Sequence, residues 1–190
     1  MQIVLVRHGE TEWSLSGQHT SRTDLPLTEK GRERAEQLGP ALAAWDFAVV
    51  LSSPLRRARE TCEIAGYAER AEICDDLREF DYGEYEGLTT PQIREQQPGW
   101  SLWRDGCPGG EQPDEVGARA DRMIERMRAG AGDGNALAFA HGHILRILTA
   151  RWLHMEAAAG ARFALKAGAI CALGYERETE VLQLWNLVPE

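Results

Sequence analysis

The sequence predicts an α/β fold: a three-layer sandwich in which a mostly parallel, mixed sheet carries helices on both faces. Three observations lead there. Short apolar runs at 3–6, 47–51 and 136–140 are each the length of one buried strand. Segments with helical spacing stand between and after them. Two further strand-like runs close the chain around a turn, which adds an antiparallel edge. At 190 residues the chain has the length of one ordinary domain, so 1–190 reads as a single unit with no linker or internal repeat.

Taken in order, Ile3-Val-Leu-Val6 is a strand that ends directly at Arg7-His8-Gly9. Polar, glycine-containing sequence follows from Glu10 to Leu27. Thr28 with Glu29 starts a helix, and Ala35, Leu38, Leu42 and Trp45 keep its spacing, with Gly39-Pro40 expected to kink or split it. Phe47 to Leu51 is the second strand; it leads through Ser52-Ser53 to Pro54, which suits the first turn of the next helix, where Ala58, Cys62 and Ala65 share a face. Residues 77–88 have loop composition with aromatic anchors. Cys107-Pro-Gly-Gly110 separates the region of Trp100 and Trp103 from the cleanest helix, 113–127, in which Val116, Ala120, Met123, Ile124 and Met127 line one face. Gly130 to Gly134 breaks it, Ala136 to Ala140 is the third strand, and Leu145, Leu148 and Trp152 restart helical spacing after His141-Gly142-His143. A hairpin, 169–175 with 181–187, ends the chain.

Composition narrows the function. The net charge is −9, from 30 acidic and 21 basic side chains, with no long basic run, so nucleic-acid and anionic-membrane partners are disfavoured. No apolar stretch approaches the roughly 20 residues needed to span a bilayer, and the N-terminal run is too short for a signal peptide. A cytoplasmic protein is expected. Four widely spaced cysteines, with no Cys-x-x-Cys pair, read as reduced structural thiols.

In open α/β sheets ligands gather beyond the carboxyl ends of the strands. Three such ends here carry Arg7-His8, the Ser53 to Arg57 turn, and His141. Together they offer two imidazoles and at least two guanidinium groups. Guanidinium forks match phosphate oxygens, and a neutral imidazole beside cations is a nucleophile, so the set suits phosphoryl transfer. His141-x-His143 could suggest a metal pair, but no carboxylate or third histidine stands nearby in sequence, so no metal and no cofactor is expected.

These residues also match a known family. Leu5-Val-Arg7-His8-Gly9-Glu10-Thr11 resembles the signature of the histidine phosphatase superfamily, which includes the cofactor-dependent phosphoglycerate mutases. The resemblance continues in order through Gly17, Asp24-Leu-Pro-Leu-Thr28, Ser52 to Thr61, Leu77-Arg-Glu79, Tyr82-Gly83, Gly110-Glu111 and Ala140-His141-Gly142. It implies a phosphoglycerate mutase-like fold. His8 would be the nucleophile that becomes phosphohistidine, with Arg7, Arg57 and His141 holding the phosphoryl oxygens and Glu79 acting as the acid that protonates the leaving oxygen. On chemistry alone Glu10, Glu84 and Glu86 rival Glu79. The resemblance also places Ser14, Thr20 and Ser21 at the substrate; Arg22, close to them, could bind a second phosphate, Tyr82 and Gly142 are counted with the substrate-binding set, and His143, which departs from the family's commoner small residue, is expected at the pocket rim; His19 and His154 have no comparable context.

The interval between Glu79 and His141 is short and lacks an adjacent arginine pair, which favours a phosphatase over a mutase. Within the phosphatases, Glu12-Trp13-Ser14-x-x-Gly17 and His141-Gly-His143-x-x-Arg146 resemble the sedoheptulose-bisphosphatase-like and acid phosphatases. The resemblance therefore implies a metal-independent phosphomonoester hydrolase whose partner is a small phosphorylated metabolite, a sugar phosphate or bisphosphate. The alternatives are mutase-type phosphoryl transfer and a non-catalytic module that binds a phosphorylated ligand. Trp100 and Trp103 either stack on substrate from a lid or anchor that lid to the core.

Overall fold

The computed structural model describes residues 1–189. Its elements are β1 (Ile3–Arg7), α1 (Glu12–Ser16), α2 (Glu29–Leu42), β2 (Phe47–Ser52), α3 (Arg56–Ile64), β3 (Ala71–Ile73), α4 (Thr90–Gln96), α5 (Leu102–Asp105), α6 (Pro113–Ala131), β4 (Asn135–Ala140), α7 (Gly142–Trp152), β5 (Ile170–Glu176) and β6 (Thr179–Leu187). The strands form one sheet in the order β3-β2-β4-β1-β5-β6. β3, β2, β4 and β1 run parallel, while β5 and β6 are antiparallel additions.

Period-two alternation divides each central strand between two cores. Ile3 and Leu5 of β1 face one side, with Ala138 of β4, Met123 and Met127 of α6, and Leu145 and Leu148 of α7. Val4 and Val6 face the other, with Phe139 of β4, Leu38 and Leu42 of α2, and Cys62 of α3. Helices therefore cover both faces, the sandwich that the sequence predicts. In α6, Val116, Ala120, Met123, Ile124 and Met127 are all buried.

Several elements differ from expectation. α2 continues through Gly39-Pro40 and ends two residues later at Leu42. The N–H that Pro40 lacks would have served the carbonyl of Glu36 on the exposed face, where water can replace it, while fully buried Leu38 and Leu42 hold the last turn. Trp45 lies beyond that helix, its N–H on the Leu42 carbonyl. Pro54 stands outside α3, which begins at Arg56 and takes its first cap from a distant side chain, Asp24 Oδ1, 2.6 Å from the Arg56 N–H. The polar stretch after His8 contains α1, capped reciprocally by Thr11 and Ser14. β3 is a three-residue edge strand and α4 and α5 are short, so none of them carries a clear period. The closing hairpin is tighter than expected, with Arg177 in the left-handed region at its turn.

The sheet brings three carboxyl ends side by side. The His8 N–H donates to the Ala140 carbonyl and the Ser53 N–H to that of Phe139, continuing the ladder one step past the strands. Backbone packs on backbone just beyond: a Cβ on Gly9 would meet the Gly31 oxygen at 2.5 Å, and one on Gly31 the Glu10 oxygen at 2.3 Å. Only glycines let the loop after β1 lie so close to α2.

Candidate active site

A cavity of about 280 Å³ opens at these strand ends, with Arg7 and His8 at its base. The His8 Nδ1 lies 2.7 Å from the Gly9 carbonyl. A carbonyl only accepts, so Nδ1 carries the ring hydrogen and Nε2 keeps its lone pair. Burial, reinforced by the charges of Arg57 and Arg7, holds the His8 pKa well below the ordinary imidazole value. His8 is thus neutral and nucleophilic at neutral pH.

Arg7 donates from Nη1 to the Leu165 carbonyl, while its Nε is buried with no partner among the described residues. A buried donor left unpaired costs stability unless something fills the place. An anion in the cavity would do so.

Glu79 shares the cavity and sits at the N-terminus of α7. Its carboxylate accepts from the N–H groups of His143 (3.0 Å) and Ile144 (2.9 Å) and from that of Phe80 (2.9 Å). Burial works to raise its pKa, but interactions with His143 and His141 prevail and hold it well below the usual carboxylate range. Gly142 leaves this turn open: a Cβ there would lie 3.4 Å from the Arg7 guanidinium and 3.6 Å from Glu79 Oε2. Of the four carboxylates that chemistry allowed, only Glu79 lines the cavity. Glu86 instead accepts from the N–H groups of Ser21 and Thr23, and Glu10 from the Thr28 hydroxyl.

Arg57 and His141 are fully buried beside His8. Arg57 Nε donates to His141 Nδ1 at 3.1 Å, and its Nη2 donates to the carbonyls of Thr20 and Ser21. Since Nδ1 accepts, Nε2 carries the His141 hydrogen and donates to Ser53 Oγ at 2.7 Å. Burial and Arg57 keep this ring neutral too, and its centroid is 5.1 Å from that of His8. The sequence places Ser53 at the carboxyl end of β2 without giving it a role; here its hydroxyl is the partner of His141.

The residues assigned to substrate divide between two places. Ser14, Thr20, Tyr82, Gly142 and His143 line the cavity. The Ser14 hydroxyl is folded back onto Thr11, donating to its carbonyl at 2.8 Å and accepting from its N–H at 2.9 Å. Tyr82 shares a hydrogen bond of 2.6 Å with His143 Nδ1. Ser21 and Arg22 are not brought there: they face a neighbouring cavity, where exposed Arg22 is ion-paired with Asp81. His141 and His143 diverge onto different partners and do not converge as a pair.

Sequence reasoning passed over other wall residues. The His19 ring is tilted against that of Tyr82, with centroids 4.7 Å apart, and burial lowers its pKa to about 4. Thr90 also lines the wall, as do Trp13, Gln18 and Arg146, which the sequence offered only as part of the subgroup motifs and without a place at the substrate. Trp100 is a buried anchor, its indole N–H on the Gly106 carbonyl, and Trp103 packs behind His143 and Arg146; neither lines the cavity.

A neutral imidazole with a free lone pair, a guanidinium with an unpartnered Nε–H and a carboxylate around one cavity at the ends of parallel strands define a phosphoryl-transfer enzyme. The chain belongs to the histidine phosphatase superfamily (branch 1), whose family model matches residues 3–188. It is 40% identical to an acid phosphatase of Mycobacterium tuberculosis over 98% of this chain and 92% of that protein. It is 38% identical to a sedoheptulose 1,7-bisphosphatase of Saccharomyces cerevisiae over 78% of this chain and 66% of that one. The solved structure of the Mycobacterium tuberculosis open reading frame Rv3214 superposes with a TM-score of 0.94 at 39% identity, covering 98% of this chain and 97% of that one. The protein is a histidine phosphatase.

Proposed function

We propose that this phosphatase hydrolyses a small, sugar-like phosphomonoester through a phosphohistidine on His8, without metal or cofactor. The observation that carries the reading is the His8 Nδ1–Gly9 carbonyl bond, which leaves Nε2 free beside Arg7. Nε2 attacks phosphorus as the bond from phosphorus to the ester oxygen breaks, and Glu79 delivers a proton to that oxygen. Water then attacks the phosphohistidine, gives its proton to Glu79, and releases phosphate with His8 again neutral. Arg7 holds equatorial oxygens through its unpaired Nε, while Arg57, fixed by His141, adds positive charge behind the reacting group.

Because free Glu79 is held ionised, its proton arrives with the substrate. A phosphomonoester loses its second proton near pH 6; once bound, its negative charge beside Glu79 raises the carboxyl's pKa, so the monoanion's proton can pass to Glu79. The substrate class rests on the polar, sugar-sized cavity and on relatives named for phosphatase and sugar bisphosphatase activities. In the described residues no helix is long and apolar enough to cross a membrane. All four cysteines are buried and free, which suits the cytoplasm, and residues 1–190 are taken as one histidine phosphatase domain.

The test is phosphate release in EDTA from sugar monophosphates, sugar bisphosphates, phosphoglycerates and a phosphotyrosine peptide, with His8→Ala as control. Turnover of a sugar phosphate that disappears in the control supports the reading. Ligand binding with no turnover would make the protein a binding module, and exchange of phosphate between phosphoglycerates without hydrolysis would make it a mutase.

A further inference from the structure

Of the 21 basic side chains only two are lysines, Lys30 and Lys166, and the fold brings both to one groove. The groove, of about 440 Å³, is lined by Glu10, Lys30, Arg34, Lys166, Ala167 and Val188. It shares no residue with the catalytic cavity; the loop after β1 divides the two, with Glu10 in the groove and Thr11 in the cavity. In a chain of net charge −9, arginines elsewhere find carboxylates: Arg119 pairs with Glu111 at 2.8 Å and Arg151 with Asp121 at 2.9 Å. Lys30, Arg34 and Lys166 pair with none among the described residues.

The three cations stand on fixed backbone. Lys30 and Arg34 lie four residues apart on α2, so they share a face with about 6 Å between them along the helix. Like charges at that spacing repel. Lys166 joins them from the segment before β5, its N–H donating to Asn186 Oδ1 at 2.8 Å. Two residues on, the Gly168 N–H donates to the carbonyls of Arg7 and His8, and a Cβ there would meet the Arg34 Cγ at 2.4 Å. The Arg34 stem is thus packed on the segment that carries Lys166. Arg34 spends Nη1 on Gln37 Oε1 and the Pro189 carbonyl, which leaves Nε and Nη2 with no partner among the described residues. Glu10 is the groove's one carboxylate among the described residues, and its Oε1 accepts from the Thr28 hydroxyl at 2.9 Å.

With three positive charges against one negative, the groove repels itself when empty. A concave wall of one sign concentrates counter-charge, an ammonium is a compact partner for phosphate oxygens, and a guanidinium adds a fork. Cations drawn from two separate elements call for an anion with more than one charged group. We propose that Lys30, Arg34 and Lys166 form a second, non-catalytic binding site for a small polyanion of linked phosphate groups.

Because the chain has only two lysines, amine acetylation read by peptide mass spectrometry reports on this groove, with the Met1 amine as internal control. The His8→Ala protein is used, so that no probe is consumed. Tripolyphosphate is expected to slow acetylation of Lys30 and Lys166 along one saturation curve, about tenfold at ten times the midpoint concentration, and to leave Met1 unchanged. Orthophosphate, and sodium chloride at equal ionic strength, are expected to protect neither lysine. Arg34→Met is expected to weaken the protection of both. Tighter protection by adenosine triphosphate than by tripolyphosphate assigns the phosphate chain to a nucleotide; the reverse order assigns a free chain. Equal protection of Met1, protection by sodium chloride, or protection of one lysine alone overturns the site. So does acetylation of the two lysines that tripolyphosphate leaves unchanged; if it is slow throughout, carboxylates of the chain itself fill the groove. The protection pattern with Arg34 in place decides the question even if Arg34→Met fails to fold.

Discussion

A single carbonyl sets the tautomer of His8, and the buried charge around it sets its protonation. With the ring neutral far into the acid range, the alkaline limb of activity belongs to the proton that Glu79 needs. We therefore expect kcat/KM to be greatest in mildly acidic solution and to fall about tenfold per pH unit above about pH 6, where the substrate monoanion is depleted. A pH–rate profile flat to pH 8 would contradict this. Glu79→Gln is expected to lower kcat by about 10²–10⁴-fold on an alkyl phosphate and by much less on p-nitrophenyl phosphate, whose leaving oxygen needs no proton. Equal losses on both would remove the acid role. His8, Arg7 and Glu79 were legible because the motif places them at strand ends. Arg57 and His141 were legible as residues but not as geometry: nothing in sequence shows that Arg57 spends its N–H groups on His141 and on the 20–23 loop.

At the scale of elements, the site depends on how closely the loop after β1 lies against α2. Gly31→Ala would set a Cβ against the Glu10 carbonyl, backbone that cannot yield like a flexible side chain. A displacement near 1 Å at Gly9 and Glu10 would carry to His8. We expect kcat/KM to drop about a hundredfold with the fold retained by circular dichroism; unchanged kinetics would show that the loop adapts. By contrast Leu5→Ala, fully buried in β1, is expected to cost about 2–5 kcal/mol in denaturant unfolding. The strong periods of α6 and the central strands were legible because burial repeats along them. α1 was not, since its five residues include no buried one and its stability comes from the reciprocal Thr11–Ser14 cap. His19 was missed for a related reason: its backbone is fixed by Leu88 and Gly87, far away in the chain.

The whole molecule should feel its buried imidazoles in acid. His8, His19 and His141 have folded-state pKa values below the ordinary value, so between those values and about 6.5 the unfolded chain binds protons that the folded one refuses. Stability therefore rises with pH up to about 6.5 and levels off above it. Glu79, also depressed, removes further stability as pH falls below about 4.3. Thermal melts are expected to show Tm constant from pH 7 to 8 and declining steadily below 6.5; a Tm that rises on acidification would contradict the buried neutral rings. The α/β sandwich was legible from three apolar runs and their spacing, whereas the cavity was not, because its wall gathers α1, the 17–20 loop, Tyr82, Thr90 and α7 through contacts that no local pattern records.

The central claim is a covalent phosphoryl group on His8. Rapid quenching of the enzyme with a ³²P-labelled phosphomonoester, followed by peptide mapping, tests it directly. The account predicts about one equivalent of acid-labile, alkali-stable label on the peptide carrying His8, forming and decaying at rates competent for turnover and absent from His8→Ala. Steady turnover with no labelled peptide, or acid-stable label on another residue, would contradict it.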